Sequence, residues 1–377
     1  MFIKKADKKN KFVSMFDSKT GFYIRTGVLE TDKDGKIMDT GVDPFMADFP
    51  ELLDIGIMGS CIHGKRGLCI KSGVQCYQAG LKIQRPDMSA ENFRKIVEQC
   101  ARKNSAGKFI PRVYQIALGG RGDPNKHAEF EEILKICFEH NIVPNYTTSG
   151  LDLTDKEVEL TKKYCGAVAV SEYRNEYTRN AIKRFIDVGM KTNIHYVLGN
   201  NTIDEAIEKL KNNGFDKGIN AVIFLLHKPI GLGEEKNMLN VADERVAEFF
   251  KLIDENKFDF KIGFDSCCVP GLINMTKNLN KDSFDTCEGG RWSAYIDSEM
   301  NMMPCSFLND NPTAHVSLNI NTVEQAWNSK VFDSFRNCLS NSCSGCEHKR
   351  ECMGGCPIVR KAVLCNRPEK EQVNMEA

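Results

Sequence analysis

Cysteine is the residue type that most constrains this chain of 377 residues, because its sixteen cysteines are unevenly placed. Three lie between residues 61 and 76, and ten lie between residues 267 and 365. The other three, Cys100, Cys137 and Cys165, stand singly in helix-like or strand-like stretches, where a thiol is expected to be a small buried apolar group. Clustered thiols are what metal ligation requires. Two parts of the chain are therefore expected to fold around metal centres.

Charge and hydropathy exclude several classes of protein. Lys and Arg together number 51, as do Asp and Glu, so the formal net charge is zero. This balance argues against nucleic acid as the main partner, because phosphate binders usually carry a basic excess. The sequence has no apolar run long enough for a membrane span and no signal-peptide core at its start. We expect a cytoplasmic protein, in which thiols stay reduced and disulfides are rare.

Strand-like and helix-like stretches alternate through the middle of the chain. After a lead-in over residues 1–50, in which alternation about Ser18 to Gly21 favours a β-hairpin, six apolar strand-like runs are separated by amphipathic segments. The runs are 52–58, 112–118, 142–148, 167–172, 192–198 and 221–226. This alternation predicts βα units and a parallel sheet, with ligands at the carboxyl ends of the strands. Six units suit a partial (β/α)6 barrel, or alternatively a doubly wound sheet.

The character of the sequence changes at about residue 267. Cysteine, glycine and asparagine become frequent there and helical periodicity weakens, which predicts a loop-rich domain held together by metal. The expected division is a lead-in over 1–50, a barrel over 51–266 and a cluster domain over 267–377.

The first cysteine group directly follows the first predicted strand, at the carboxyl end of the sheet. Cys61, Cys69 and Cys76 can hold a cubane [4Fe–4S] cluster by three of its irons, which leaves the fourth iron open to a ligand. Two alternatives stay open: three simple buried thiols, or a zinc site with His63 as its fourth ligand.

The ends of the later strands are small or polar, as a ligand site requires. The second strand ends in a Gly-Gly-Arg-Gly-Asp-Pro segment over 119–124, and the third ends in Thr-Thr-Ser-Gly over 147–150. The fourth ends in Ser-Glu-Tyr over 171–173, and the sixth runs into His-Lys-Pro-Ile-Gly-Leu-Gly over 227–233.

This layout resembles the radical S-adenosylmethionine superfamily, with its cysteine triad, glycine-rich second strand end and serine at the fourth strand end. The resemblance implies S-adenosylmethionine as a cofactor. It implies that Ser171 lies near the ribose or carboxylate of this cofactor and that the backbone near Gly231 flanks its adenine. The residues it implies at the methionine amino group are Gly119, Gly120, Gly122 and Asp123.

The spacing of the triad departs from the pattern of that superfamily. The family has Cys-x3-Cys-x2-Cys, whereas this chain has Cys61-x7-Cys69-x6-Cys76. The additional residues, which include His63, Lys65 and Arg66, imply a larger loop around the cluster.

The second cysteine group is large enough for two four-ligand centres. Its x2, x5 and x3 gaps between residues 343 and 356 resemble the SPASM domain, the twin-cluster extension of many radical enzymes that act on peptides. By that resemblance one auxiliary [4Fe–4S] cluster is held by Cys343, Cys346, Cys352 and Cys365. The other is held by Cys287, Cys305, Cys356 and either Cys267 or Cys268, of which we favour Cys268. Cys338 is left over as a structural thiol, and two zinc sites are the alternative.

The resemblance implies three [4Fe–4S] clusters and a 5′-deoxyadenosyl radical that abstracts a hydrogen atom from a peptide or protein. We expect oxidation or cross-linking of a residue in a ribosomally made peptide, with electrons supplied by a donor such as flavodoxin or ferredoxin. The short lead-in weakens this interpretation, because a typical peptide-leader-binding domain is longer. Maturation of a protein, of the sulfatase type, and a non-catalytic iron–sulfur or zinc protein are the alternatives.

The sequence does not single out a catalytic acid or base. Four residues near predicted strand ends are candidates by position, although such residues are more often packed or capping groups: Tyr173, His195, Tyr196 and Asp265.

Overall fold

The computed structural model describes residues 2–61, 67–341, 343 and 345–365. The lead-in forms a three-stranded antiparallel sheet in the order β1-β2-β3 and a two-stranded ribbon of β4 and β5. The predicted hairpin is confirmed, because β2 and β3 pair with Ser14 opposite Arg25. The elements are β1 (Phe2–Asp7), β2 (Phe12–Asp17), β3 (Tyr23–Arg25), β4 (Leu29–Thr31) and β5 (Ile37–Asp39).

A ten-stranded sheet forms the centre of the molecule, so the predicted mixed α/β class with a large parallel sheet is confirmed. Its middle section begins with β6 (Leu52–Met58), α1 (Leu68–Lys71), α2 (Ala90–Gln99) and β9 (Gln115–Gly120), with a small hairpin of β7 (Ala101–Lys103) and β8 (Phe109–Pro111) before β9. It continues with α3 (Phe130–Glu139), β10 (Val143–Thr148), α4 (Asp155–Tyr164), β11 (Val168–Ser171), α5 (Glu176–Asp187), β12 (Thr192–Leu198), α6 (Ile203–Lys211), β13 (Ala221–Leu226), α7 (Glu244–Glu255) and β14 (Lys261–Phe264).

The seven strands β6 and β9 to β14 lie side by side in chain order, and every neighbouring pair among them is parallel. Sequential order is what a partial barrel requires, and closure of the sheet into such a barrel stays a prediction. Strand β14 was not predicted, because four residues are too few to display a period.

The two faces of this sheet differ in polarity. On β6, Leu53, Ile55 and Ile57 are fully buried in the main apolar core, which also contains the buried residues of the helices. The opposite face carries half-buried polar side chains at the alternate positions, namely Asp54, Gln115, Asn145, Thr147, Asn193 and His195. Because successive strand residues point to opposite sides, one face packs against helices while the other offers hydrogen-bonding groups.

Local capping sets the helix boundaries. Thr154 and Glu157 form a reciprocal capping box at the start of α4: the Glu157 N–H donates to Thr154 Oγ1 at 3.2 Å, and the Thr154 N–H donates to the Glu157 carboxylate at 2.8 Å. Ser89 and Asn175 cap α2 and α5 in the same sense, each accepting from a backbone N–H of the first turn. These caps place the loops, and therefore the site, at defined strand ends.

The segment predicted to form the cluster domain shares the central sheet. Strand β15 pairs in parallel with β6, with Tyr295 beside Asp54, and two further antiparallel strands extend the sheet. The elements are α8 (Val269–Met275), β15 (Ser293–Ile296), β16 (Asn301–Met303), β17 (Val316–Ser317), α9 (Val323–Trp327), α10 (Lys330–Ser340) and α11 (Lys349–Cys352). No helix in the described part of the chain is both long and apolar enough to cross a membrane.

Candidate functional site

The first cysteine group lies in the long connection between β6 and α2. Cys61, Cys69 and Cys76 are all half-buried. Burial raises the pKa of the Cys69 thiol to about 11, and the neighbouring thiols Cys76 and Cys61 add to that rise. Cys69 therefore lies within electrostatic reach of both other thiols. His63, Lys65 and Arg66, which the sequence places in the same loop, lie outside the described residues.

Contacts from three later strand ends tie this loop over the carboxyl edge of the sheet. The Leu232 N–H donates to the Cys76 carbonyl at 2.9 Å, and Asn201 Nδ2 donates to the Gly73 carbonyl at 2.8 Å. Arg174 donates to the Ser72 carbonyl at 3.0 Å. The loop therefore occupies the edge where a parallel sheet binds its ligands.

The glycines after β9 have two different structural roles. A Cβ on Gly120, whose φ is +112°, would lie 2.4 Å from the Met58 carbonyl oxygen, and a Cβ on Gly122 would lie 2.6 Å from the Ser60 carbonyl oxygen. These two glycines allow the second strand end to approach the first. A Cβ on Gly119 would meet no atom within 4 Å, so Gly119 faces open space.

Asp123 is held by the end of the neighbouring strand. Its Oδ2 accepts from the Ser149 N–H at 3.0 Å, from Ser149 Oγ at 2.5 Å and from Thr148 Oγ1 at 3.3 Å. These donors fix the orientation of the carboxylate beside the first cysteine group.

Tyr173 lies within electrostatic reach of both the Asp123 carboxylate and two thiols of the first group. Burial raises the pKa of Tyr173, and the charges of Cys69, Asp123 and Cys76 add to the rise, while a hydrogen bond with Ser171 opposes it. Ser171, Tyr173 and Asp123 therefore surround the same region as the first group of thiols.

Gly231 lies against the first cysteine loop. Its φ is +66°, and a Cβ there would lie 2.2 Å from the Tyr77 carbonyl oxygen and 2.8 Å from the Cys76 carbonyl oxygen. The glycine is required by this close backbone approach, a packing role that sequence analysis did not foresee.

Two adjacent residues of β12 have opposite environments. His195 lies on the polar face, where its Nδ1 is 3.2 Å from Thr147 Oγ1, and burial lowers its pKa to about 4. Tyr196 points into the core, is fully buried and donates to the Thr202 carbonyl at 2.7 Å. Of these two candidates, His195 is placed for chemistry and Tyr196 for packing.

A second group of four thiols lines a cavity of about 700 Å³ between the sheet and the tail: Cys267, Cys287, Cys305 and Cys356. A hydrogen bond from Cys267 lowers the pKa of Cys356, whose Sγ also accepts from the Val359 N–H at 3.3 Å. These contacts place Cys267 directly beside Cys356.

The preference for Cys268 as the fourth thiol of this group stays a prediction, although the geometry favours Cys267. Its Sγ is fully buried, 4.0 Å from the Phe224 carbonyl oxygen, and it does not line the cavity. The short helical turn Ser266–Cys268 points the two adjacent cysteines in different directions, so that only Cys267 faces Cys356.

A third group lines a separate cavity of about 690 Å³ in the tail: Cys343, Cys346, Cys352 and Cys365. Burial raises the pKa of Cys352 to about 11, and the other three thiols add to this rise. Cys338 is buried on α10 and lines neither of these cavities.

The donor chemistry of the three groups fits iron–sulfur clusters, which are held by cysteine thiolates around an inorganic core. The second and third groups each contribute four thiols to the wall of a cavity, and the first group consists of three half-buried thiols. Among the described residues, no three or more His, Cys, Asp or Glu side chains are arranged around the position of a single metal ion.

Sequence analysis missed three charged residues, two that line the cavity of the second group and one that lies beside Asp265 of the same lining. Lys228 has a fully buried ammonium group 3.2 Å from Asp265; burial lowers its pKa, but Asp265 and the nearby thiols outweigh that effect and raise it. Burial also raises the pKa of Asp54 to about 6 and that of Glu288 to about 7. The position of Asp54 could have been read from the sequence. Alternate residues of a strand lie on the same face, so Asp54 lies with Leu52 and Gly56 on the face opposite the apolar core.

Comparison with known proteins supports the fold. No family model matches the chain. The bifunctional protein FolD of Clostridioides difficile (strain 630) is 29% identical over 108 residues, which span 28% of this chain and only 38% of FolD.

Solved structures match over most of the chain. SuiB from Streptococcus suis bound to precursor peptide SuiA has a TM-score of 0.63 and 14% identity, covering 95% of this chain and 94% of that one. SuiB bound to S-adenosylmethionine has a TM-score of 0.61 and 18% identity, covering 86% and 77%. The structure anSMEcpe with bound AdoMet has a TM-score of 0.56 and 16% identity, covering 85% and 92%. The chain therefore shares the fold of SuiB and anSMEcpe, which supports the recognition made from the motifs.

Proposed function

We propose that the chain is a radical S-adenosylmethionine enzyme that oxidises or cross-links a residue in a ribosomally made peptide. The observation that carries this proposal is the gathering of eleven cysteines into three groups, of three, four and four thiols, on a fold shared with S-adenosylmethionine-bound structures. The first group lies at the carboxyl edge of the parallel sheet, where such a fold binds its ligand.

Each group has a separate role in this proposal. Cys61, Cys69 and Cys76 hold a [4Fe–4S] cluster with one open iron, and the other two groups hold auxiliary clusters, with Cys267 completing the set of Cys287, Cys305 and Cys356. When bound, the open-iron cluster and S-adenosylmethionine supply one-electron cleavage chemistry that yields a hydrogen-abstracting radical. A protein electron donor such as flavodoxin or ferredoxin supplies the electron.

The residues around the first group bind and orient S-adenosylmethionine. Gly119 leaves open space at the end of β9, and Asp123, fixed by Thr148 and Ser149, presents a carboxylate as acceptor for the methionine amino group. Ser171 and Tyr173 supply hydroxyls on the neighbouring strand end.

The polar face of the sheet supports a peptide substrate. Its half-buried amide, carboxyl and imidazole groups can form hydrogen bonds with a peptide backbone, whereas an apolar ligand would leave them without partners. His195 is neutral at pH 7, so its imidazole can accept one hydrogen bond and donate another without carrying charge. The precursor peptide in the SuiB structure supports this substrate class, and the anSMEcpe structure with Cp18Cys peptide supports maturation of a protein as the second candidate.

Anaerobic reconstitution with iron and sulfide tests the proposal. The protein is expected to release 5′-deoxyadenosine when it is given S-adenosylmethionine and dithionite. The triple variant Cys61→Ala/Cys69→Ala/Cys76→Ala is expected to lose this activity while keeping about two thirds of the iron, since one of three clusters is removed.

The matched control replaces two thiols outside the three groups, Cys165→Ala/Cys338→Ala, and should keep both iron and activity. If the triple variant still cleaves S-adenosylmethionine, the assignment of the first group is wrong. If elemental analysis finds zinc rather than iron in the reconstituted protein, the alternative of structural zinc sites replaces the proposal.

A further inference from the structure

Lys228 is a charged side chain in a place where charge is costly. It lies two residues after the end of β13, and its side chain is 0% exposed to solvent. Removing an ammonium group from water costs several kcal/mol unless partners compensate for the lost hydration. The groups around a buried ammonium group are therefore expected to compensate for its lost hydration.

The partners of Lys228 form an oriented array. Its Nζ lies 3.2 Å from Asp265 Oδ2 and 3.2 Å from the Leu226 carbonyl oxygen, and it lies over the Phe307 ring at 4.5 Å from the centroid. The thiols Cys267 and Cys356 also lie within electrostatic reach of the ammonium group.

The two charges of the Lys228–Asp265 ion pair act unequally on the neighbouring thiols. The ammonium has a stronger influence on Cys267 than the carboxylate has, whereas the carboxylate has the stronger influence on Cys268, which is outside the cavity. The carboxylate is also held by the Leu226 N–H at 3.2 Å. The ammonium is therefore the charge of the pair that acts more strongly on Cys267, while the Asp265 carboxylate also lines the cavity of the second group.

We propose that Lys228 is a positioning residue that raises the reduction potential of the auxiliary cluster held by Cys267, Cys287, Cys305 and Cys356. This inference rests on the proposed function, which places an iron–sulfur cluster at these thiols. Reduction adds negative charge to a cluster, and a fixed cation at its edge in a dry cavity stabilises the reduced form. The cluster beside Lys228 is then the better acceptor for an electron that leaves an oxidised substrate.

The third group of thiols offers a contrast within the same chain. The cationic side chains at its cavity include Lys349 and Lys361, and Lys361 is 58% exposed, with Glu235 at 3.5 Å. An exposed cation is screened by water and salt, so its effect on a nearby cluster is small. The two auxiliary clusters are therefore expected to differ in potential, with that beside Lys228 the higher.

The test is a potentiometric titration monitored by electron paramagnetic resonance on the reconstituted protein. The background is Cys61→Ala/Cys69→Ala/Cys76→Ala, so that only the two auxiliary clusters contribute. In Lys228→Gln the reduction equilibrium constant of one cluster is expected to fall about tenfold. For one electron this lowers the midpoint potential of that cluster by about 59 mV. The second cluster is expected to be unchanged, and Lys228→Arg is expected to restore most of the shift.

Two further variants keep this test decisive. Lys228→Gln/Asp265→Asn leaves no uncompensated buried charge, so it folds even where the single variant does not, and it should show a smaller fall in the same cluster. Lys209→Met removes a lysine that pairs with Glu172 at 3.3 Å on the far helix α6, and both potentials should stay at their original values. Unchanged potentials in both Lys228 variants, with the iron content intact, overturn the inference. Absence of iron from the unsubstituted protein instead overturns the proposed function.

Discussion

At the residue scale, strand parity decides which side chains belong to the site. His195 and Tyr196 are neighbours in the sequence, yet one lies on the polar face near Thr147 and the other packs in the core. Asp54 follows the same rule on β6, between two fully buried neighbours, Leu53 and Ile55. The alternation of strand residues between two faces could be read from the sequence. Which of the two faces meets the ligand depends on the side of the sheet against which the helices pack.

The depressed pKa of His195 predicts a pH-dependent contribution to stability. The folded pKa is about 4 and the ordinary value is 6.5, so the unfolded chain binds more protons between these values. The wild-type protein therefore loses up to about 3 kcal/mol as pH falls from about 7 to about 4 because of this one residue. In His195→Gln, which does not titrate, the free energy of unfolding should fall less over that range, as measured by urea denaturation of the metal-free protein.

The control for this measurement is Thr147→Val, which removes the hydrogen-bonding partner of His195 but leaves the imidazole in place. It should retain the wild-type dependence on pH. Equal pH slopes in the wild-type protein and His195→Gln would show that the imidazole stays as accessible to protons as in the unfolded chain.

At the element scale, the parallel strands were predictable and their additions were not. Runs 52–58, 192–198 and 221–226 match β6, β12 and β13 in full, because long apolar runs between capped helices leave few other assignments. Strands β14 to β17 have two to four residues each, too few to display a period, and β15 joins the sheet through β6, which is far away in the sequence. The sequence could not separate Cys267 from Cys268 for a related reason, since a single short turn sets the directions of the two side chains.

The glycines show how a site motif and a packing requirement overlap. Gly120, Gly122 and Gly231 were assigned to the cofactor by resemblance, and each also allows backbones to approach where a Cβ would collide. Sequence alone does not separate these two demands, because both select the same residue.

Gly231→Ala tests the packing demand directly. The new methyl group would lie 2.2 Å from the Tyr77 carbonyl oxygen at a φ of +66°, so the loop that carries Cys76 must move. Reconstituted Gly231→Ala is expected to bind about one third less iron, with loss of 5′-deoxyadenosine release, because only the first group is disturbed. Iron assay and high-pressure chromatography of the nucleoside are the measurements.

The matched control is Gly21→Ala, which has a similar φ of +77° but no atom within 4 Å of the added methyl group. It shares the backbone strain without the collision and should retain iron and activity. Full iron content in Gly231→Ala would mean that the loop tolerates the displacement and that this contact does not hold the first group.

At the scale of the whole molecule, long-range contacts join the lead-in, the central sheet and the tail. Arg25 pairs with Asp285, and Trp327 Nε1 donates to the Ala47 carbonyl at 3.1 Å. Phe12 and Trp292 pack edge to face with ring centroids 5.6 Å apart. Side chains on opposite sides of the boundaries predicted at residues 50 and 267 therefore pack against one another, so these boundaries do not separate the chain into parts without mutual contacts.

The third group of thiols lies in a part of the tail with few buried apolar side chains. Among residues 345–365, the buried apolar side chains are Cys352, Cys356, Ala362 and Leu364, and two of these four are proposed ligands. A segment with so small an apolar core depends on its metal for order, and binding free energy at such a site is folding free energy. The parallel sheet, in contrast, is buried in the main core.

Removal of iron is therefore expected to destabilise this molecule locally. Hydrogen–deuterium exchange measured by mass spectrometry on reconstituted and chelator-treated protein should show loss of protection in peptides from residues 345–365, while β10 to β13 stay protected. The variant Cys61→Ala/Cys69→Ala/Cys76→Ala is the control, because it should keep its protected tail when it is reconstituted, although it lacks the first cluster. A uniform loss of protection across the sheet and the tail on chelation would contradict this expectation, since it would mean that the apolar core of the sheet does not hold without iron.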